Sequence, residues 1–151
     1  MKLAVFDFDS TLMDGETIDF YAKELGIEKE ISTITKKAMA GELDFFESLT
    51  SRVSLLKGLD YEKVKNISHN LPFMSGAKKT IRILKKNGYK VVCFSGGFDI
   101  ATSYAKKELQ FDADFSNHLH HINGKLTGEV GGYMMFSHSK GELLEKLQNT
   151  L

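Results

Sequence analysis

A chain of 151 residues with 20 basic and 20 acidic side chains has no formal net charge, which argues against a nucleic-acid binder and against a like-charge tail. Its 42% hydrophobic content is that of an ordinary globular protein, long enough for one real core. Cys93 is the only cysteine, so no internal disulfide can form.

Lys2 to Phe8 is an apolar run closed by Asp7 and Asp9, and it reads as a buried parallel strand. The four apolar residues after Lys2 are too few for a signal-peptide core, and no apolar stretch approaches the ~20 residues of a bilayer span. The expectation is a cytoplasmic protein with neither a membrane nor a nucleic-acid partner.

Thr17 to Leu25 has helical spacing and stops at Gly26. A second helix is expected over Ile31 to Ala40. Asp44 with Glu47 forms a capping box that opens a third, ended by Gly58. Tyr61 to His69 is a fourth, before Pro72. Gly76 to Asn87 is a basic amphipathic helix, and Tyr89 to Phe94 a strand as apolar as the first. Ser95-Gly96-Gly97 reads as the turn into a helix from Phe98 to Leu109. Phe111 to Phe115 is a short strand candidate, and Asn123-Gly124 marks a hairpin. Ser139 with Glu142 is another capping box, opening a last helix to Leu147. A strand, then helices only, then helix-strand-helix-strand predicts a three-layer α/β core with an all-α insertion after the first strand. The core is expected at 1–13 and 73–151, and a helical cap at 14–72.

Two carboxylates at a strand's end need a partner or a function. Strand alternation would set Asp7 and Asp9 on one face, able to address one ligand. Ser95, Gly96 and Gly97 at a strand-to-helix junction could offer N–H groups and a hydroxyl to an anion. His118, His120 and His121 invite a metal reading, but no acid or cysteine completes a ligand set there and the stretch reads as an exposed hairpin.

The Asp7-Phe8-Asp9-Ser10-Thr11-Leu12 motif, followed by Ser95-Gly96-Gly97 and then Lys140, resembles the haloacid dehalogenase-like hydrolases. Within them, Glu16-Thr17-Ile18-Asp19, Arg52-Val53, Leu55-Leu56-Lys57-Gly58, Phe98-Asp99-Ile100 and Gly124-Lys125-Leu126-Thr127-Gly128 are similar to the phosphoserine phosphatase family, over Leu3 to about Leu147. The resemblance implies a Rossmann-like parallel sheet with the helical cap, and a Mg²⁺-dependent phosphomonoesterase acting on O-phospho-L-serine, a small phosphorylated amino acid, in the last step of serine biosynthesis. It implies Asp7 as nucleophile, Asp9 as general acid and base, and Lys140 beside the nucleophile as a phosphate-binding cation with Ser95, Gly96 and Gly97. It implies Glu16 on the substrate ammonium and Arg52 on its carboxylate, with Met39 and Phe45 closing over the site and Asp7 and Asp9 as metal ligands. The family's fourth motif, Gly-Asp-Gly-x-x-Asp, which carries a third acidic ligand, is not found before Leu151. Two other readings follow from that departure and from the chemistry: a catalytically incomplete fragment or non-catalytic phosphate- or partner-binding remnant, and a phosphotransferase to a small alcohol such as homoserine.

Overall fold

The computed structural model describes residues 1–150. In chain order its elements are β1 (Lys2–Phe6), α1 (Thr17–Leu25), α2 (Glu28–Met39), α3 (Phe45–Ser54), α4 (Tyr61–Ser68), α5 (Ala77–Lys86), β2 (Tyr89–Phe98), α6 (Asp99–Leu109), β3 (Ala113–Ile122), β4 (Lys125–Gly132) and α7 (Ser139–Thr150). The sheet runs β1-β2-β3-β4. β1, β2 and β3 are parallel, and β4 returns antiparallel to β3 through the Asn123-Gly124 turn, where both residues have positive φ. The expected parallel sheet is therefore mixed, because a two-residue hairpin can only reverse the chain.

Alternation along β2 sorts the core into layers. Val91 and Cys93 pack with Ala77 and Ile81 of α5 and with Ala101, Ala105 and Leu109 of α6. Val92 and Phe94 face the other way, against Met134 and the Leu143, Leu144 and Leu147 stripe of α7. β2 is buried on both faces, as its unbroken apolar run predicts. β1 carries a similar run but lies at the sheet's edge, and Val5 is 38% exposed. An apolar run records the residues' preference, whereas burial also needs a neighbour on each side.

β1 also ends two residues early, at Phe6. The buried Phe8 then holds a tight loop, its carbonyl accepting from the N–H groups of Thr11, Leu12 and Met13 at 3.0–3.1 Å. Asp7 and Asp9 thus sit on a loop past the strand, and strand alternation is not what places them.

The chain leaves the core and returns through adjacent passages: Asp14 N–H donates to the Pro72 carbonyl and Met74 N–H to the Leu12 carbonyl, both at 2.8 Å. Between them lie α1 to α4. α1 has the expected bounds, closed by Gly26 in the left-handed region. Asp44 caps α3, its Oδ1 accepting from Glu47 N–H at 2.8 Å. α3 ends at Ser54 and a turn carries the chain to Gly58. Ile18, Tyr21, Leu49, Val53 and Val64 from these helices share a core with Phe98, Leu119 and Leu126 of the sheet. The hairpin also ties on directly: Gly58 N–H donates to the Leu126 carbonyl and Tyr61 N–H to the Gly124 carbonyl, each at 2.8 Å. The helices are thereby held over the C-terminal ends of the parallel strands, where open α/β sheets bind ligands.

Two further expectations change. β2 runs on through Ser95, Gly96 and Gly97 to Phe98, with a register shift against β3, so the tripeptide is strand rather than turn. Ser139 does not form a box with Glu142: it is the first residue of α7, and its Oγ accepts backwards from Phe136 N–H at 3.0 Å. Among the described residues, no helix is long and apolar enough to cross a membrane.

Candidate active site

A cavity of ≈ 190 Å³ opens where β1, β2 and the helices α1 and α3 meet, lined by Asp7, Asp9, Glu16, Arg52 and Lys140, by Gly96 and Gly97, and by the apolar Ile18, Phe45, Leu49 and Phe98. Lys140, on the first turn of α7, donates to Asp7 Oδ2 at 2.6 Å. The Asp7 Oδ1 accepts from Phe8 N–H at 2.7 Å, so both oxygens of this carboxylate are held.

Asp9 is held differently. Its Oδ1 accepts from both the hydroxyl and the N–H of Thr17, at 2.6 and 3.2 Å. Thr17 is buried at the N-terminus of α1. Among the described residues, Asp9 Oδ2 has no hydrogen-bond donor. Burial raises the Asp9 pKa to about 6, with Glu16's negative charge adding to the rise and the Thr17 hydrogen bonds opposing it. A carboxyl poised there can give and take a proton near neutral pH.

Glu16, just ahead of α1, accepts from Ser10 Oγ at 2.9 Å. Arg52 projects from α3, spending its Nε–H on the Ser48 carbonyl at 3.2 Å. Among the described residues the rest of its guanidinium fork makes no ion pair. Burial lowers its pKa, and the charges of Glu16, Asp19 and Asp9 work against that shift. A half-buried, unspent fork facing a cavity is a ready bidentate partner for a carboxylate.

The Ser95-Gly96-Gly97 strand end closes the floor. Ser95 is buried, and its Oγ accepts from Gly97 N–H at 2.9 Å. A Cβ on Gly96 would lie 2.8 Å from the Phe45 ring, so glycine here admits the aromatic wall. A Cβ on Gly97 would lie 3.8 Å from Asp9 Oδ2, which places Asp9 beside this peptide segment.

The fold therefore brings Asp7, Asp9, Glu16, Phe45, Arg52, Gly96, Gly97 and Lys140 to one cavity, with Ser95 buried immediately behind the glycines. Met39 is not among its lining. It is 83% exposed at the end of α2 and borders a separate depression on the outer side of Phe45 and Arg52. The histidines serve the hairpin. His118 Nδ1 meets Asp99 at 3.1 Å, His120 Nδ1 meets the Thr127 hydroxyl at 3.0 Å, and His121 stacks on Tyr61 at 3.9 Å.

Thr17 and, Phe45 apart, the apolar lining were not legible as site residues. Thr17 lies inside a motif, but its hydroxyl meets Asp9 only once α1 docks. Asn117 does not line the cavity, and no motif singled it out. It is fully buried on β3 and makes three hydrogen bonds to backbone groups, one at Gly96 of the lining and two at Met134.

The donor set suits a small hard cation. Asp7 and Asp9 offer only oxygen, and the Asp9 Oδ2 edge lacks a donor of the protein's own; Mg²⁺ takes oxygen ligands and keeps several waters. No cluster of three or more His, Cys, Asp or Glu side chains occurs among the described residues.

A family model described as haloacid dehalogenase-like hydrolase matches residues 1–146. The phosphoserine phosphatase of Wolinella succinogenes is 61% identical over 151 residues, covering 100% of this chain and 73% of its own. That of Methanocaldococcus jannaschii is 50% identical over 146 residues, covering 97% of this chain and 69% of its own. Among solved structures, a phospho-aspartyl intermediate analogue of a phosphoserine phosphatase superposes with a TM-score of 0.91 at 49% identity, covering 99% of this chain and 71% of that one. A substrate-bound phosphoserine phosphatase gives a TM-score of 0.91 at 48% identity, with the same coverage.

Proposed function

This chain belongs to the haloacid dehalogenase-like hydrolases, and we propose that it hydrolyses O-phospho-L-serine to L-serine and phosphate through an aspartyl-phosphate, with Mg²⁺ as cofactor. The observation that carries the reading is the composition of one cavity. A lysine-paired carboxylate and one whose pKa is raised to about 6 stand at its floor, and a guanidinium with no ion pair among the described residues and a glutamate stand at its walls.

Asp7 Oδ attacks phosphorus while the P–O bond to the serine oxygen breaks. Asp9, protonated, gives that oxygen its proton. Asp9 then takes a proton from water as the water oxygen attacks phosphorus, and the Asp7–phosphorus bond breaks to return the free carboxylate. Lys140 offsets negative charge on Asp7 and on the phosphoryl oxygens, and the backbone of Gly96 and Gly97 with the Ser95 hydroxyl cradles them. Mg²⁺, which the Asp7 carboxylate and the Asp9 main-chain carbonyl would hold, would neutralise the charge gathered between nucleophile and phosphoryl group. Arg52 reads the substrate carboxylate and Glu16 its ammonium. Residues 14–72 act as a cap, and Phe45 with Ile18, Leu49 and Phe98 excludes water from the reacting centre. Lys140 paired with Asp7, and an Asp9 that can exchange a proton near neutral pH, favour hydrolysis over mere phosphate binding.

The test is Mg²⁺-dependent phosphate release from L-phosphoserine, with EDTA as control. The wild-type chain releases phosphate, and Asp7→Asn, checked to be folded by circular dichroism but without its nucleophile, releases none above background. Turnover by Asp7→Asn equal to the wild type would sink the covalent mechanism. Added homoserine leaves the ratio of phosphate to serine at one; a phosphorylated acceptor would instead show transfer.

A further inference from the structure

Asn117 lies at the middle of β3, opposite Phe98 of β2 on one side and Gly132 of β4 on the other, and it is 0% exposed. Its Nδ2 donates to the Gly96 carbonyl at 3.2 Å and to the Met134 carbonyl at 2.9 Å, while its Oδ1 accepts from Met134 N–H at 2.9 Å. These partners fix the amide's orientation, because turning it over would set its oxygen against two carbonyls and its NH₂ against an N–H.

The two ends of this clamp are the two sides of the anion cradle. A planar trans peptide points its C=O and N–H in opposite directions. Gripping the Gly96 oxygen therefore aims the Gly97 N–H, which donates to Ser95 Oγ at 2.9 Å and so sets the serine hydroxyl. At the other end, Met134 is the buried anchor of the segment that enters α7, where Phe136 N–H meets Ser139 Oγ one residue before Lys140. Gly132 makes the clamp sterically possible: it has φ +141°, and a Cβ there would lie 2.7 Å from Asn117 Cα.

We infer that Asn117 is a positioning residue, whose carboxamide sets the spacing between the Ser95-Gly96-Gly97 floor and Lys140 across the phosphoryl pocket. The inference rests on the phosphatase reading of the cavity. Asn117 touches no substrate and acts through Gly96 and Met134.

Asn117→Asp tests it, because the variant keeps the acceptor for Met134 N–H and cannot donate to the Gly96 and Met134 carbonyls together. Ile81→Ala, a fully buried change on α5 outside the cavity lining, is the control for stability alone. For each chain, the thermal midpoint, the affinity for inorganic phosphate with Mg²⁺ present, and KM and kcat for L-phosphoserine well below both midpoints are measured. Both variants lose thermal stability. Only Asn117→Asp weakens phosphate and raises KM, by about tenfold or more, the loss of one well-aimed contact to a charged group. If Asn117→Asp melts earlier but keeps the wild-type phosphate affinity and KM, the positioning role is overturned. Should that variant not fold, Asn117→Ser, which keeps a small polar group without the reach to Gly96 and Met134, replaces it with the same two outcomes. A wild-type chain that binds phosphate without hydrolysing phosphoserine overturns the proposed function and leaves the clamp to be judged on phosphate affinity. One that binds neither overturns both.

Discussion

Asp9 and Asp7 are two residues apart in sequence, yet they meet opposite electrostatic environments. Asp7 lies under the Lys140 ammonium, whereas Asp9 is pushed by burial, and then by Glu16, to a pKa of about 6. The causes can be separated by substitution in the metal-free chain. Thr17→Val removes the hydroxyl that stabilises the carboxylate, so Asp9 titrates higher. Glu16→Gln removes a repelling charge, so it titrates lower. Carboxyl-carbon NMR reads both shifts, and an unchanged Asp9 in both variants would contradict this account. Arg52 gives a second residue-level expectation. Lysine keeps the charge but loses the fork, so Arg52→Lys raises KM for phosphoserine by roughly tenfold or more and changes kcat less. Equal KM values would remove Arg52 from carboxylate recognition. The identities of these residues were legible from the motif and the family likeness. The raised pKa of Asp9 was not, because desolvation arises only when distant segments meet.

At the scale of the element, the helices follow local rules closely. Gly26 ends α1 in the left-handed region, and Asp44 caps α3 with Glu47 N–H on its carboxylate. Asp44→Ala should cost about 1 kcal/mol, readable as a lower denaturant midpoint with an unchanged slope. Because α3 carries both Phe45 and Arg52, the same variant should weaken substrate binding slightly more than it weakens the fold. The strands obeyed local rules less well. The short strand at Phe111 to Phe115 and the hairpin arm before Asn123-Gly124 were legible separately, but not as the one strand from Ala113 to Ile122, whose continuity rests on pairing with β2 and β4. The capping box at Ser139 failed for a related reason: its hydroxyl turns back to Phe136 N–H, a partner supplied by the chain's path out of β4.

For the whole molecule, stability and function pull on the same carboxyl. A folded-state pKa raised to about 6 means that Asp9's contribution to stability is fully present below its ordinary value of 3.8 and is lost as pH rises through about 6. Asp112 and Asp114 have the opposite sign. Burial alone would raise them, but it is outweighed by hydrogen bonds, from Val91 N–H and Lys85 at Asp112 and from Lys106, Ser103 and Thr102 at Asp114. Their contribution is present above the ordinary carboxyl range and is lost as pH falls through their lowered values. In the metal-free chain, Asp9→Asn should therefore raise the thermal midpoint by several degrees near pH 8 and change it little near pH 4. An equal shift at both values would mean that burial of the charge is not the cause.

The motif acids, the helix stops, the hairpin and the layered α/β order are written in the order of residues, because neighbours within a few positions set dihedral preference, capping and periodicity. Contact between residues far apart in the chain is a different matter. Lys140 reaches Asp7 across 133 positions, Thr17 reaches Asp9 only when α1 docks, and Asn117 joins two segments on either side of it. Those meetings, with the desolvation that raises Asp9 and the edge position that exposes β1, depend on how packed layers close upon one another, which no local pattern encodes.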